Sequence, residues 1–214
     1  MLPRSAILCL ATAASMGAAE EKPPAIERID ATRFKLGDIT FDSKQREIRF
    51  PAVVNMEEGL LEFLIVHQNG KIHESLLHTA ISPTHLNVVL KLLRYQPSPG
   101  EKVGKSSRLR IRFQWENNGK TRTVDANEWV QHAVTGAAMP TGPWTYHGST
   151  IRDGRFQPEI TGDLAAIFLT PSALITYPGK DNEDDTVWFS YPKRVPPIDT
   201  PVIVLITPYP EDQP

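Results

Sequence analysis

The sequence predicts an α+β fold. It is strand-rich, with antiparallel hairpins forming a sheet and one main helix (residues 83–94) and a short helix (residues 126–134) packed on it. Three observations carry that expectation. Short stretches of alternating polar and apolar residues recur along the chain. Nineteen prolines among 214 residues punctuate them, as loops between short strands require. Leu86, Val89, Leu90 and Leu93 recur at the spacing of one helical face, directly behind a serine–proline start.

The chain begins MLPRSAILCLATAASMGAAEEKPP. Arg4 precedes an apolar run from Ala6 to Met16, and Gly17, Ala18 and Ala19 supply small residues for cleavage, so residues 1–19 read as a secretory signal peptide. The run falls short of the roughly 20 apolar residues that span a bilayer. The single cysteine, Cys9, leaves with the leader. The mature chain then carries no disulfide, no thiol nucleophile and no cysteine-ligated metal, so no Fe–S cluster or other cofactor is expected. Loss of Arg4 leaves 22 basic against 25 acidic residues, a net charge of −3. Without a basic stripe no nucleic-acid partner is expected, and no second apolar stretch reaches transmembrane length. The expected organisation is a signal peptide (1–19), a flexible lead-in (20–30), one domain (31–208) and a tail (209–214). Export places it in the periplasm or outside the cell, with an envelope protein or a glycan as partner.

Two strand pieces, FKLGDITFD and REIRFPAVV, open the domain, with turns at Gly37–Asp38 and Asp42–Lys44. Pro51 places the second piece at an edge or a bulge. Leu61 to Val66 are apolar apart from Glu62, as in a strand buried on both faces. Asn69-Gly70 follows, the strongest short hairpin signal. Taken as a two-residue loop, it sets Val66 opposite His73 and Leu64 opposite Ser75. Alternation then gives His73, Ser75 and Glu62 one face and Glu74 the other. Ser82 caps the main helix with Pro83 at its first position.

A second hairpin is expected where RLRIRFQW turns at Asn118-Gly119, with Arg108, Arg110 and Arg112 outward on a solvated face. Asp125 and Glu128 resemble a capping box ahead of the short helix. Beyond Gly136 the pattern is loop and strand, with a turn at Gly162-Asp163 and a single helical turn from Thr170 to Ile175. VWFSYP and PVIVLITP close the domain as strands.

These residues resemble the YdjY-domain family of exported bacterial proteins, which has no assigned activity. The likeness runs from residue 34 to 207. It is carried by EGLLEFLIV, GKIHESLLHTAISPTHL, the Trp115 strand, Asn127-Glu128-Trp129-Val130, Pro143-Trp144 and Gly148-Ser149. Some relatives are labelled ferredoxin-like, a label that needs cysteines absent from this mature chain. The resemblance implies the domain limits and draws attention to His73–Ser75, but supplies no reaction.

Three readings of that stretch compete. Serine or acid–base chemistry would use Ser75, His73 and Glu74 or Glu62, yet two residues on one strand face lie about 6.6 Å apart. The nucleophile elbow of esterases is also missing. A metal site would draw on Glu74, His78 and His85, with imidazole and carboxylate suited to zinc, although no HExxH is present. The preferred reading is that the polar residues hold the fold: Glu74 needs a partner on an apolar face, with His67, His78 or the N–H groups near Thr84 and His85 in reach. The acidic loop Asp181–Asp185 reads as solvated rather than as a calcium loop. Trp144, Tyr146 and Trp188 are the residues suited to stacking on a glycan or peptide, although core or rim packing is the favoured reading. The expectation is a non-catalytic binding or structural module of the envelope, with a metal-dependent or serine-type hydrolase as its rival.

Overall fold

The computed structural model describes residues 25–98, 104–148 and 150–210. The expected signal peptide, residues 20–24 of the lead-in, Ser149 and residues 211–214 of the tail lie outside them.

The first strands are β1 (Glu27–Arg28), β2 (Arg33–Leu36), β3 (Ile39–Asp42) and β4 (Glu47–Val54), each antiparallel to the next. The turns expected at Gly37–Asp38 and Asp42–Lys44 form. Gly37 takes φ 57, and the Asp42 carboxylate accepts the Lys44 and Gln45 N–H groups. β4 changes neighbour along one edge: Thr40 faces Arg49 on the β3 side, and farther on Val53 faces His78. Pro51 falls in the gap between those two partners, where a missing N–H costs no ladder bond.

Next come β5 (Phe63–His67), a 3₁₀ turn (Ile72–Glu74), β6 (Ser75–Thr79) and α1 (Pro83–Leu92). β7 (Arg108–Asn117) and β8 (Lys120–Asp125) form the expected hairpin, with Asn118 at φ 51 and Gly119 at φ 71, as a type I′ turn requires. After β9 (Val130–His132) and β10 (Trp144–Tyr146) come a small hairpin, β11 (Ile151–Arg152) and β12 (Arg155–Phe156), and α2 (Gln157–Thr161). The chain closes with β13 (Asp163–Ala166), β14 (Ile175–Thr176), β15 (Trp188–Ser190) and β16 (Pro201–Pro208).

The strands do not make an open sheet carrying helices. They run β4–β16–β7–β10–β14–β13–β5–β6, and β6 pairs back onto β4, which closes an eight-stranded barrel. This corrects the predicted α+β architecture. β5–β6 and β13–β14 are parallel and the other barrel pairings antiparallel. β1–β3 extend the sheet from β4, and β8 from β7. Inward residues stack in rings: Phe50, Val204 and Phe113 are cross-strand neighbours, as are Ile48, Ile206 and Ile111, and all six are buried. Closure follows from two pairings between distant segments, which local alternation does not encode.

The hairpin expected at Asn69-Gly70 is the second correction. Phe63 faces Ser75 and Ile65 faces Leu77 in parallel, so the chain crosses back beside β5 within residues 68–74. Such crossovers usually take a dozen or more residues. Gly70 serves a close approach rather than a positive φ: a Cβ there would meet Thr161 O at 2.9 Å and Gly162 Cα at 3.3 Å. Gly162, at φ 81, ends α2 in the left-handed conformation.

The main helix forms as read, although α1 ends at Leu92 rather than residue 94. Ser82 Oγ accepts the His85 N–H, and Leu86, Val89 and Leu90 are buried in the core cluster. The helix expected over residues 126–134 does not form. Ala126–Trp129 is one 3₁₀ turn and Val130–His132 is strand β9, paired with β15. The Asp125 carboxylate is taken by Arg110 at 2.7 and 2.8 Å, so it makes no side-chain cap.

Candidate functional site

The β5–β6 crossover brings together part of the predicted set. Glu62 immediately precedes β5, and its N–H donates to Glu74 O at 3.0 Å. That bond sets the Glu62 and Glu74 side chains beside each other. His73 Nε2 lies 3.3 Å from Glu74 Oε1, and Lys71 Nζ lies 3.7 Å from Glu62 Oε2 while standing 5.0 Å over the Phe63 ring. Burial, then the neighbouring Glu74 charge, push the Glu62 carboxyl above its ordinary pKa of 4.5, and Lys71 offsets part of the rise. Glu74 Oε2 is buried and meets no N–H or O–H donor. The cluster is therefore a pair of neighbouring carboxyls, flanked by an exposed imidazole and an ammonium group.

Ser75 is not part of it. Its residue is fully buried, and its hydroxyl donates to Leu77 O at 2.6 Å, two residues along the same strand. The face shared by His73, Ser75 and Glu62 under the hairpin register is absent, because the 3₁₀ turn turns His73 outward while Ser75 begins a buried strand. The metal candidates separate as well. His78 stands on β6 between Val53 and Val66, whereas His85 lies against the β2–β3 turn, its Nδ1 3.1 Å from where a Gly37 Cβ would sit. Among the described residues no three His, Cys, Asp or Glu side chains group so as to hold a metal ion.

The start of α1 does receive a carboxylate, and it belongs to Glu159 on α2. Glu159 Oε2 accepts from Thr84 N (2.9 Å), Thr84 Oγ1 (2.8 Å) and Ser82 Oγ (3.0 Å). Burial works against ionisation there, but these bonds outweigh it and hold Glu159 below its ordinary pKa. Glu74 accordingly does not reach that helix end.

The stacking candidates are all buried. Trp144 Nε1 donates to Asn127 Oδ1 at 3.1 Å, Tyr146 OH donates to Asn87 Oδ1 at 2.6 Å, and Trp188 packs edge-on against Tyr177 and His132. Within the acidic loop, Asp184 accepts from Thr186 and Asp181 lies 3.7 Å from His132. Asp163, which the sequence offered only as a turn residue, is buried. Its carboxylate accepts from Ser172 Oγ and its Oδ1 meets no donor. Lys71 and Glu159 also escaped the sequence reading, because their partners lie on segments brought close only by the crossover and by α2.

Fold and site together define a small closed β-barrel domain with a paired-carboxyl cluster at its parallel crossover. The YdjY domain matches residues 39–207, and the chain belongs to that family. No curated protein and no solved structure matches the chain.

Proposed function

We propose that this chain is an exported, non-catalytic binding module of the cell envelope. The observation that carries the non-catalytic part is Ser75: its hydroxyl is buried and already donated to Leu77 O, so it lacks both access to a substrate and a base to activate it. The leader-like segment at residues 1–19 supports export. Cell fractionation with mass determination of the mature protein tests this part; a chain starting at Glu20 in the envelope or medium is expected, and an uncleaved cytoplasmic chain refutes it.

One observation favours a second reading. Two neighbouring carboxyls beside His73, that of Glu62 with a raised pKa, have the composition of an acid–base centre. Glu62→Gln and Glu74→Gln, assayed with the wild type on a panel of esters, amides and glycosides, separate the two. The binding-module reading expects no turnover above background in any of the three. Wild-type turnover abolished by either variant, with the fold retained, establishes the enzyme instead.

A further inference from the structure

A second feature lies away from the carboxyl pair, where the start of β7 meets the end of β16. A cleft of about 390 Å³ is lined by Arg46, Lys105, Ser106, Arg108 and Tyr209 with two flanking prolines, and no carboxylate among the described residues lines it. That volume falls at the small end of ligand sites. Two guanidinium groups, Arg46 and Arg108, around one cavity in a chain of net negative charge call for an anion.

Arg46 is held in place before any ligand arrives. Its guanidinium donates from Nε to Leu93 O (2.8 Å) and from Nη2 to Arg94 O (3.3 Å), and it lies 4.3 Å over the Tyr95 ring. The Tyr95 hydroxyl donates to Arg46 O at 2.7 Å, which closes the bracket. Neither bond uses Nη1, so one arm of the fork stays available. Arg46 also sits at φ 55, a left-handed conformation that favours glycine. Arg108 supplies the second contact. Arg110 and Arg112 of the same strand pair with Asp125 and Glu47, whereas Arg108 is exposed and has no carboxylate partner among the described residues. Of the three alternating arginines, only this one faces the cleft.

We propose that the cleft binds a small phosphate monoester, its phosphate between Arg46 and Arg108 and its organic body along Tyr209. Two guanidinium groups match a dianion better than a single carboxylate, and guanidinium geometry suits phosphate oxygens. The proposal deepens the binding-module reading, and the two fail separately: turnover of a probe substrate refutes the non-catalytic reading and leaves the cleft untouched.

Isothermal titration of the full chain at low salt and pH 7.5 tests it, using inorganic phosphate and glycerol 3-phosphate, with acetate at matched ionic strength. Both phosphates should bind and acetate should not. Affinity should fall on going to pH 5, as the phosphate loses its second charge near a pKa of about 6. Arg108→Gln should weaken glycerol 3-phosphate at least tenfold with an unchanged melting curve, whereas Arg122→Gln, on exposed strand β8, should leave it intact. Tighter binding of the ester than of inorganic phosphate supports the role given to Tyr209. No binding of either phosphate, acetate binding as tightly, or equal weakening by Arg122→Gln overturns the proposal.

Discussion

Replacing Ser75 by alanine separates a structural serine from a nucleophile. Ser75 is fully buried at the first position of β6, and its Oγ donates to Leu77 O at 2.6 Å. The substitution removes that hydrogen bond and nothing else of size, because alanine differs from serine by the hydroxyl alone and leaves no cavity worth the name. A net intramolecular hydrogen bond contributes about 0.5–1.5 kcal/mol. Leu77 also faces Ile65 across the parallel pair, so its carbonyl keeps a ladder environment and the loss should stay near about 1 kcal/mol. For a domain of this size, 1 kcal/mol corresponds to roughly 2–4 °C in Tm. Thermal and urea melts followed by circular dichroism should show that drop with an unchanged urea slope, since the surface exposed on unfolding is the same. Ester and amide hydrolysis measured on the same preparations should stay at background in both proteins. A Tm equal to the wild type together with a loss of measurable turnover refutes the reasoning, since it makes Ser75 reactive and structurally idle.

The carboxyl pair gives a prediction of opposite sign. Glu62 has a raised pKa in the folded protein, so its protonated form favours folding; that contribution is present below the unfolded value of 4.5 and is lost as pH rises through the folded value. Glu62→Gln should therefore raise Tm at pH 7 and lose that advantage as pH falls through the raised folded value towards 4.5, read by melts across that range; a lower Tm at neutral pH contradicts it. Glu159 behaves in the reverse way. Its lowered pKa adds stability above its unfolded value of 4.5, and that stability is lost as pH falls through the folded value. Glu159→Gln should cost about 1 kcal/mol at pH 7, the hydrogen bonds being discounted for exposure to solvent, and should match the wild type in acid. An equal Tm difference at pH 3 and pH 7 would show that the charge is not what caps α1.

Much of the strand content follows from local patterning. β4 and β7 alternate buried and more exposed residues as their sequences do, and Asn118-Gly119 makes its turn because both positions tolerate positive φ. α1 forms where Ser82, Pro83 and the 3.6-residue stripe coincide, since cap, missing N–H and apolar face are all local properties. Where local signals were ambiguous, tertiary contact decided. Asn69-Gly70 is as good a site for close backbone approach as for a tight turn, and the Thr161–Gly162 backbone lying against Gly70 selects the former. Asp125 could cap a helix or accept an arginine; Arg110, 15 residues earlier in the chain but adjacent across the β7–β8 hairpin, settles it.

The sequence by itself determined that β4, β7 and β8 are strands, where the main helix begins and that His73, Glu74 and Glu62 deserve joint consideration. Only the tertiary structure decided that the strands close into a barrel, that β6 runs parallel to β5, that Ser75 is withdrawn into the core and that Glu159 rather than Glu74 meets the helix start. The reason is physical. Alternation and capping act over a few residues, whereas closure, crossover direction and carboxylate pairing depend on contacts between segments tens of residues apart, whose free energies no local pattern records.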